Sequence, residues 1–269
     1  MLLDKIVLKV GGSELAALSR GEDGDFIAGL IAALRALRKA CAVALVHGGG
    51  PEIARLQERL HLEPRFVEGL RVTDDASLDV AEMVLSGWVN KRLVARLVSA
   101  RVPAMGLSGV DNGLFRVVRM RHSSGDLGWV GEIIQTCPAE VVSLLERGVM
   151  PVISPISLGL DGHTYNVNAD HAASALACAL GAAELVFVSN VPGVLVGASA
   201  ASWHLFPGAP YPRLTAVQAE TLIAGGGIKG GMIPKVRSAL AALERGVPQV
   251  RIVDLEGLTT GGGTRFEAG

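Results

Sequence analysis

Apolar positions recur along this chain in two alternating rhythms. Short runs that are almost uniformly apolar predict strands with both faces covered: "KIVLKV" (5–10), "AVALVH" (42–47), "VMPVISPI" (149–156) and "PQVRIV" (248–253). Between them, apolar residues repeat at helical spacing in "FIAGLIAALRALRK" (26–39), "EIARLQERL" (52–60), "PAEVVSLLERG" (138–148), "ADHAASALACALG" (169–181), "TAVQAETLIAG" (215–225) and "MIPKVRSALAALERG" (232–246). The longest amphipathic pattern spans 75–100 and predicts one helix. "PAMGLSG" (103–109) predicts a strand ending in glycine, and "ELVFVSNVPGVLV" (184–196) strand, turn and strand. "RVVRMR" (116–121) and "GWVGEII" (128–134) alternate enough to pair antiparallel, and "GHTYNVN" (162–168) predicts an edge strand or hairpin.

Strands alternating with helices over most of the length define an α/β class: a three-layer αβα sandwich around an open, mostly parallel sheet. Ligands of such sheets bind at the carboxyl ends of the strands. Those ends are where glycines fall here, at Gly11-Gly12, Gly48-Gly49-Gly50, Gly106 and Gly109. The segment 181–184 is the best candidate linker, and "GASAASWHLFPGAPYPR" (197–213) predicts an exposed excursion. The "DLEGLTTGGGTRF" segment near the end predicts no terminal helix.

Composition narrows the classes. The chain has 269 residues, enough for one large α/β domain or two joined lobes. With 49% apolar and 19% charged residues it is globular. A net charge of −1 gives no bulk electrostatic surface for nucleic acid or membrane. Cys41, Cys137 and Cys178 are far apart in apolar runs and predict reduced core residues of a cytoplasmic protein. No apolar run reaches the ~20 residues of a membrane span, and "MLLDKIVLKVGG" lacks a signal-peptide pattern.

Five stretches carry candidate chemistry, each with a plainer alternative. Gly11-Gly12 with Lys9 is either a tight strand-to-helix turn or an amide nest for phosphate beside a cation. "HGGGPEI" (47–53) puts three side-chain-free residues before a helix with Pro51 in its first turn, an arrangement that favours an anion. Arg71 in "GLRVTD" (69–74) is either a surface arginine or a planar fork for a carboxylate. Asn166 and Asn168 in "NVNAD" share one strand face and Asp170 opens a helix, which fits capping as well as charge placement near lysines. "GGGIKGGMIPK" (225–235) is either a flexible loop or a nucleotide flap with Lys229 or Lys235 on the phosphates. Its Gly-x-Gly-x-x-Gly spacing follows a helix and not a strand, so a dinucleotide site is discounted. No Gly-Lys pair occurs anywhere, which excludes a P-loop, and no zinc spacing or serine-hydrolase elbow is present.

In order, KVGG, HGGGP, GLRVTD, GWVNKRLV, GLSG, NVNAD, VSNVPGV and GGMIPK resemble the amino-acid kinase family over nearly the whole chain, and within it the N-acetylglutamate kinase branch. The resemblance implies transfer of the γ-phosphoryl group of ATP, with Mg²⁺, to the side-chain carboxylate of N-acetyl-L-glutamate. It implies Lys9 and Lys235 as the catalytic cations and Asp170 as the residue that holds them. Gly11, Gly12 and Gly49 correspond to amide donors around the moving phosphate, and Gly49, Gly50, Arg71, Asn166 and Asn168 to the acyl-amino-acid site. The nucleotide is expected against Ser189, Asn190, Val191 and Gly193 and under a loop that includes Gly227, Lys229, Gly231 and Met232. Residues 1–180 are then an acyl-amino-acid-binding and dimerising lobe, and 181–269 an ATP-binding lobe. The expected partners are the two small substrates, in a cytoplasmic homodimer that engages neither nucleic acid nor membrane.

The resemblance has departures. Asn190 stands where many acetylglutamate kinases carry Asp, as in related kinases acting on carrier-bound aminoadipate, and Val110 and Asn112 replace the usual Lys and Gly. The aminoadipate enzymes tend to show HGGS and SRLTD where this chain has HGGGP and GLRVTD, which favours acetylglutamate. A non-catalytic member of the fold is the other alternative, and intact Lys9, Asp170 and Lys235 count against it. The first strand begins near residue 5, with no long helix before it. The resemblance ties such a helix to arginine-inhibited hexamers, so a dimer without strong arginine feedback is expected.

Overall fold

A computed structural model of the protein describes residues 3–20, 25–67, 70–123, 125–195 and 209–267. The side chains of 17–20, 66, 70 and 71 lie outside that description, so the Arg71 expectation has only a backbone position. Most of the excursion expected at 197–213 also falls outside the described residues.

The first half of the chain runs β1 (Asp4–Val10), α1 (Gly12–Arg20), α2 (Asp25–Leu37), β2 (Cys41–His47), α3 (Gly50–Arg59), β3 (Phe66–Val67), β4 (Leu70–Arg71), α4 (Asp75–Glu82), α5 (Asn90–Ser99), β5 (Ala104–Gly109), β6 (Phe115–Arg119) and β7 (Gly131–Thr136). It continues with α6 (Ala139–Glu146), β8 (Met150–Gly159), β9 (Thr164–Asn166), α7 (Ala169–Leu180), β10 (Glu184–Val188), β11 (Arg213–Thr215), α8 (Ala216–Ala224), α9 (Met232–Glu244), β12 (Gln249–Val253), α10 (Leu255–Thr260) and β13 (Thr264–Glu267).

Eleven of these strands form one sheet in the order β11-β13-β12-β10-β1-β2-β8-β6-β7, with β5 and β9 also paired to β8. The central pairs β12–β10, β10–β1, β1–β2 and β2–β8 are all parallel. The two expected hairpins are antiparallel, β6 with β7 and β9 with β8. Helices cover both faces, as predicted. No linker separates two halves of the sheet at 181–184: Gly181 ends α7 in the left-handed conformation, and β10 follows and pairs directly with β1. Gly181 adopts that conformation because a residue without Cβ does so at no steric cost.

Alternation along β1 sorts its residues between two cores. Leu8 and Val10 pack with Leu15, Leu30, Leu45 and Leu93 on the face covered by α1, α2, α3 and α5. Val7 packs with Ala173, Leu176 and Phe187 on the face covered by α7. Each fully buried leucine contributes about 2 kcal/mol of transfer free energy. The same alternation sends Lys9 to the Val7 face, toward the start of α7.

The helix expected over 75–100 is helical throughout but not uniform. Between α4 and α5 the residues Met83–Val89 widen into a π-helical stretch. Leu85 and Val89 of that stretch are buried, and a Cβ on Gly49 would lie 2.7 Å from Leu85 Cδ2. The widened turn therefore packs directly onto the HGGG segment. In the C-terminal segment Asp254 caps the short α10 by accepting from Gly257 N–H at 2.7 Å, and the last described element is a strand, β13, paired with β12.

Candidate active site

Two glycine turns meet at the carboxyl ends of β1 and β2. A Cβ on Gly12 would stand 2.8 Å from both Gly49 N and Gly50 N, and one on Gly48 would stand 3.1 Å from Gly12 N. Glycine is required because backbone meets backbone there. Gly48 N–H donates to Val10 O at 2.9 Å, which ties the second turn to the first strand. α1 and α3 both start at this junction, so their first amides and positive dipole ends face one space.

That space is a cleft of about 390 Å³. Lys9, both glycine turns, Asn166, Asn168, Asp170 and Lys235 line it. Lys9 Nζ lies 2.7 Å from Asp170 Oδ1, and both side chains are more than nine-tenths buried. Two charges so buried hold only as a pair. Asp170 sits in the first turn of α7, and its N–H donates to Asn168 Oδ1 at 2.7 Å. Asn168 is thus both the cap of α7 and a residue of the cleft lining. Asn166 Nδ2 donates to Thr73 Oγ1 at 3.3 Å and links the β9 edge to the segment after β4.

Lys235 reaches the cleft from the first turn of α9, and its Nζ donates to Ser189 Oγ at 3.4 Å. Burial lowers its pKa below the usual lysine value, and the Lys9 charge pushes the same way. Glu14 and Asp170 oppose both effects. Asp170 is therefore paired with one lysine and close enough to bias the other. An anion with several oxygens entering here meets two cations, one from each side of the cleft, and amides from two helix starts.

Not every candidate gathers there. Lys229 is exposed on the loop between α8 and α9 and does not line the cleft, whereas Lys235 does. Ser189 is buried beside Lys235, whereas Asn190 is exposed. Gly193 (φ 153°) leaves no room for a side chain, since a Cβ would lie 2.6 Å from Thr264 Oγ1. Val191, Gly227, Gly231 and Met232 lie outside the cleft lining, along the turn after β10 and the glycine-rich loop.

Two kinds of residue escaped the sequence reading. Glu14, in the first turn of α1, is buried with its Oε2 against Gly11 and its charge felt by Lys235. An acid in a first helical turn ordinarily serves the helix dipole, so nothing in the pattern marked it. His47 and Asn90 were visible only as members of longer motifs, and both are fully buried next to the HGGG turn.

Among the described residues no three His, Cys, Asp or Glu side chains converge as a metal site. Mg²⁺ fits this cleft as an ion carried in on a triphosphate, which leaves most of its ligands to phosphate and water. Asp170 is the one carboxylate residue among those lining the cleft.

A parallel α/β sheet with paired lysines, a buried aspartate and two apposed glycine turns defines a phosphoryl-transfer enzyme of the non-P-loop kind. The model of the amino acid kinase family matches residues 4–254, and the chain belongs to that family. An acetylglutamate kinase of Chloroflexus aurantiacus is 52% identical over 264 residues, covering 98% of this chain and 96% of its own. One of Roseiflexus castenholzii is 52% identical over 253 residues, covering 94% and 90%. A crystal structure from Streptococcus mutans UA159 superposes with a TM-score of 0.80 at 28% identity, over 98% of both chains.

Proposed function

We propose that the chain is an ATP-dependent N-acetylglutamate kinase that forms N-acetylglutamyl 5-phosphate, a step of arginine biosynthesis. The observation that carries the reading is the Lys9–Asp170–Lys235 cluster facing two glycine turns in one cleft. The similarity to acetylglutamate kinases over nearly the full chain supports the acceptor. The HGGGP and GLRVTD segments favour acetylglutamate over acylated aminoadipate.

The chemistry asks little of the protein beyond position and charge. The acceptor carboxylate is ionised near neutral pH, so no general base is needed. The moving phosphoryl group carries its charge on equatorial oxygens. Lys9 and Lys235 stabilise that charge from opposite sides, and Gly11, Gly12 and Gly49 supply amide donors. Asp170 keeps the two ammonium groups apart and aimed. Gly49, Gly50, Asn166, Asn168 and Arg71 hold the acyl amino acid, with Arg71 on a carboxylate. Mg²⁺, when bound, neutralises charge on the β- and γ-phosphate oxygens. Residues 1–180 take the acyl amino acid, while 181–269 take ATP along Ser189–Gly193 and beneath the 225–235 loop.

We also propose a cytoplasmic homodimer. Its support is apolar surface on neighbouring elements, since Met83, Val98 and Met105 are exposed at 55%, 52% and 44%. Light scattering after size exclusion tests it. No helix among the described residues is long and apolar enough to cross a membrane.

The deciding assay is ADP release with Mg²⁺-ATP and N-acetylglutamate, N-acetylaminoadipate or no acceptor, with hydroxylamine trapping of the acyl phosphate. Hydroxamate from acetylglutamate is expected, and its loss by orders of magnitude in Lys235→Ala. Preference for aminoadipate would move the acceptor and leave the site intact. Silence with both acceptors, in a folded protein that binds ATP, would overturn the reading.

A further inference from the structure

We propose that His47 and Asn90 form a positioning pair that presets the Gly48–Gly49 peptide, so that the Gly49 N–H faces the transfer cleft before any ligand arrives. The inference rests on the kinase reading and deepens it: it concerns how the amide donor on the transferring phosphoryl group is held.

The argument starts from donors and acceptors. Asn90 Nδ2 lies 3.1 Å from His47 Nε2, 2.9 Å from Val152 O and 3.3 Å from Leu107 O. A side-chain amide nitrogen only donates, so Nε2 of the ring must accept. The ring proton is then on Nδ1, which lies 3.1 Å from Gly48 O and donates to it. One neutral tautomer satisfies both ring nitrogens, while the two Asn90 amide protons are shared among three acceptors. Burial enforces neutrality, pushing the His47 pKa down to about 4 against the Gly48 hydrogen bond, which favours the charged ring, and the Lys91 charge adds to the lowering.

The consequence follows from peptide geometry. The Gly48 carbonyl and the Gly49 N–H belong to one planar trans unit and point in opposite directions. Anchoring the carbonyl to the His47 ring turns the amide away from it, and Gly49 lines the cleft. The flanking peptides are held separately, Gly48 N–H by Val10 O at 2.9 Å and Gly49 O by Ile53 N–H at 3.0 Å. The peptide between them has a glycine on each side, and glycines permit a flip at little cost. The ring contact suppresses that flip. Asn90 is itself fixed, its Oδ1 accepting from Lys91 Nζ at 3.1 Å while its amide ties β2 to β5 and β8.

Two readouts test the pair. The ¹⁵N imidazole spectrum of the wild-type protein at neutral pH reports the tautomer directly. His47 protonated on Nδ1 is expected, and Nε2 protonation would overturn the proposal with no variant made. The second readout compares His47→Leu with His47→Asn, whose amide nitrogen can take the place of Nδ1. His47→Leu is expected to lower kcat by about 10- to 100-fold, below the full loss of an oxyanion donor, with both KM values within about threefold. His47→Asn is expected to restore most of kcat. A folded His47→Leu enzyme with near-normal kcat, or equal impairment in both variants, would refute the positioning role. A wild-type protein with the Nδ1 tautomer that binds ATP but is inactive on both acceptors would overturn the kinase reading alone.

Discussion

Replacing Gly12 by alanine tests the claim that the two glycine turns work as one unit. The new Cβ would sit 2.8 Å from Gly49 N, 2.8 Å from Gly50 N and 2.9 Å from Gly49 Cα. Ordinary contact begins near 3.4 Å, so the turns must part by about 0.6 Å. All three neighbours are backbone, and none can move aside as a flexible side chain would. Gly12 has no positive φ, so the strain is steric and not conformational. Overpacking of this kind costs about 1–3 kcal/mol of stability. For a domain of this size that lowers Tm by roughly 2–12 °C. The amides on both sides of the phosphoryl path move with the turns, and a misplacement approaching 1 Å costs about 100-fold in rate. The assay is differential scanning fluorimetry alongside steady-state kinetics with Mg²⁺-ATP and N-acetylglutamate. Gly50→Ala is the thermal control, because a Cβ there meets nothing within 4 Å. A Gly12→Ala enzyme with wild-type Tm and kcat would refute the close apposition of the turns.

Three further outcomes follow from the charges. Lys9→Ala strands the buried Asp170 carboxylate and is expected to cost about 3 kcal/mol or more in urea unfolding, besides abolishing turnover; an inactive variant of unchanged stability would dissolve the pair. Glu14→Gln removes one of the two charges that hold the Lys235 pKa up. Lys235 acts as a cation and activity falls as pH rises through its pKa, so the alkaline limb of kcat is expected at lower pH in this variant, and an unmoved limb would show that Glu14 does not act on Lys235. His47 has a folded pKa of about 4 against an ordinary 6.5. Between those values only the unfolded chain takes the proton. The His47 contribution is therefore complete above about pH 6.5 and lost as pH falls toward 4, at about 1.4 kcal/mol per unit. His47→Asn should show a correspondingly shallower loss in denaturant titrations from pH 7 to 5, and parallel curves would contradict a neutral buried ring.

Much of the fold was legible because its signals are local. Uniformly apolar β1, β2, β8 and β12 announced strands covered on both faces, and the 3.6-residue repeats of α2, α7 and α9 announced the covering helices. The order of glycine and lysine motifs marked the chemistry, since an anion site with no Cβ and a nearby cation needs few residues and keeps them close in sequence. What the pattern could not reveal depends on partners far along the chain. The π-helical stretch at Met83–Val89 packs against the HGGG turn, a neighbour far away in sequence. The six-residue α10 has too few turns for a periodic signal. Glu14 looks like any first-turn acid until α9 brings Lys235 beside it, and nothing in the sequence says that of Lys229 and Lys235 only the latter lines the cleft.

By itself, then, the chain determined the class of fold, the strand ends at which ligands gather and the kinds of side chain available to meet them. These follow from periodicity and backbone sterics, which act over a few residues. Only the tertiary structure decided which groups meet: Lys9 with Asp170 across 161 residues of chain (170 − 9), Gly12 with Gly49, and Asn90 with His47. Such pairings depend on how sheet and helices pack, because charge, hydrogen bonding and burial act through space and not along the backbone.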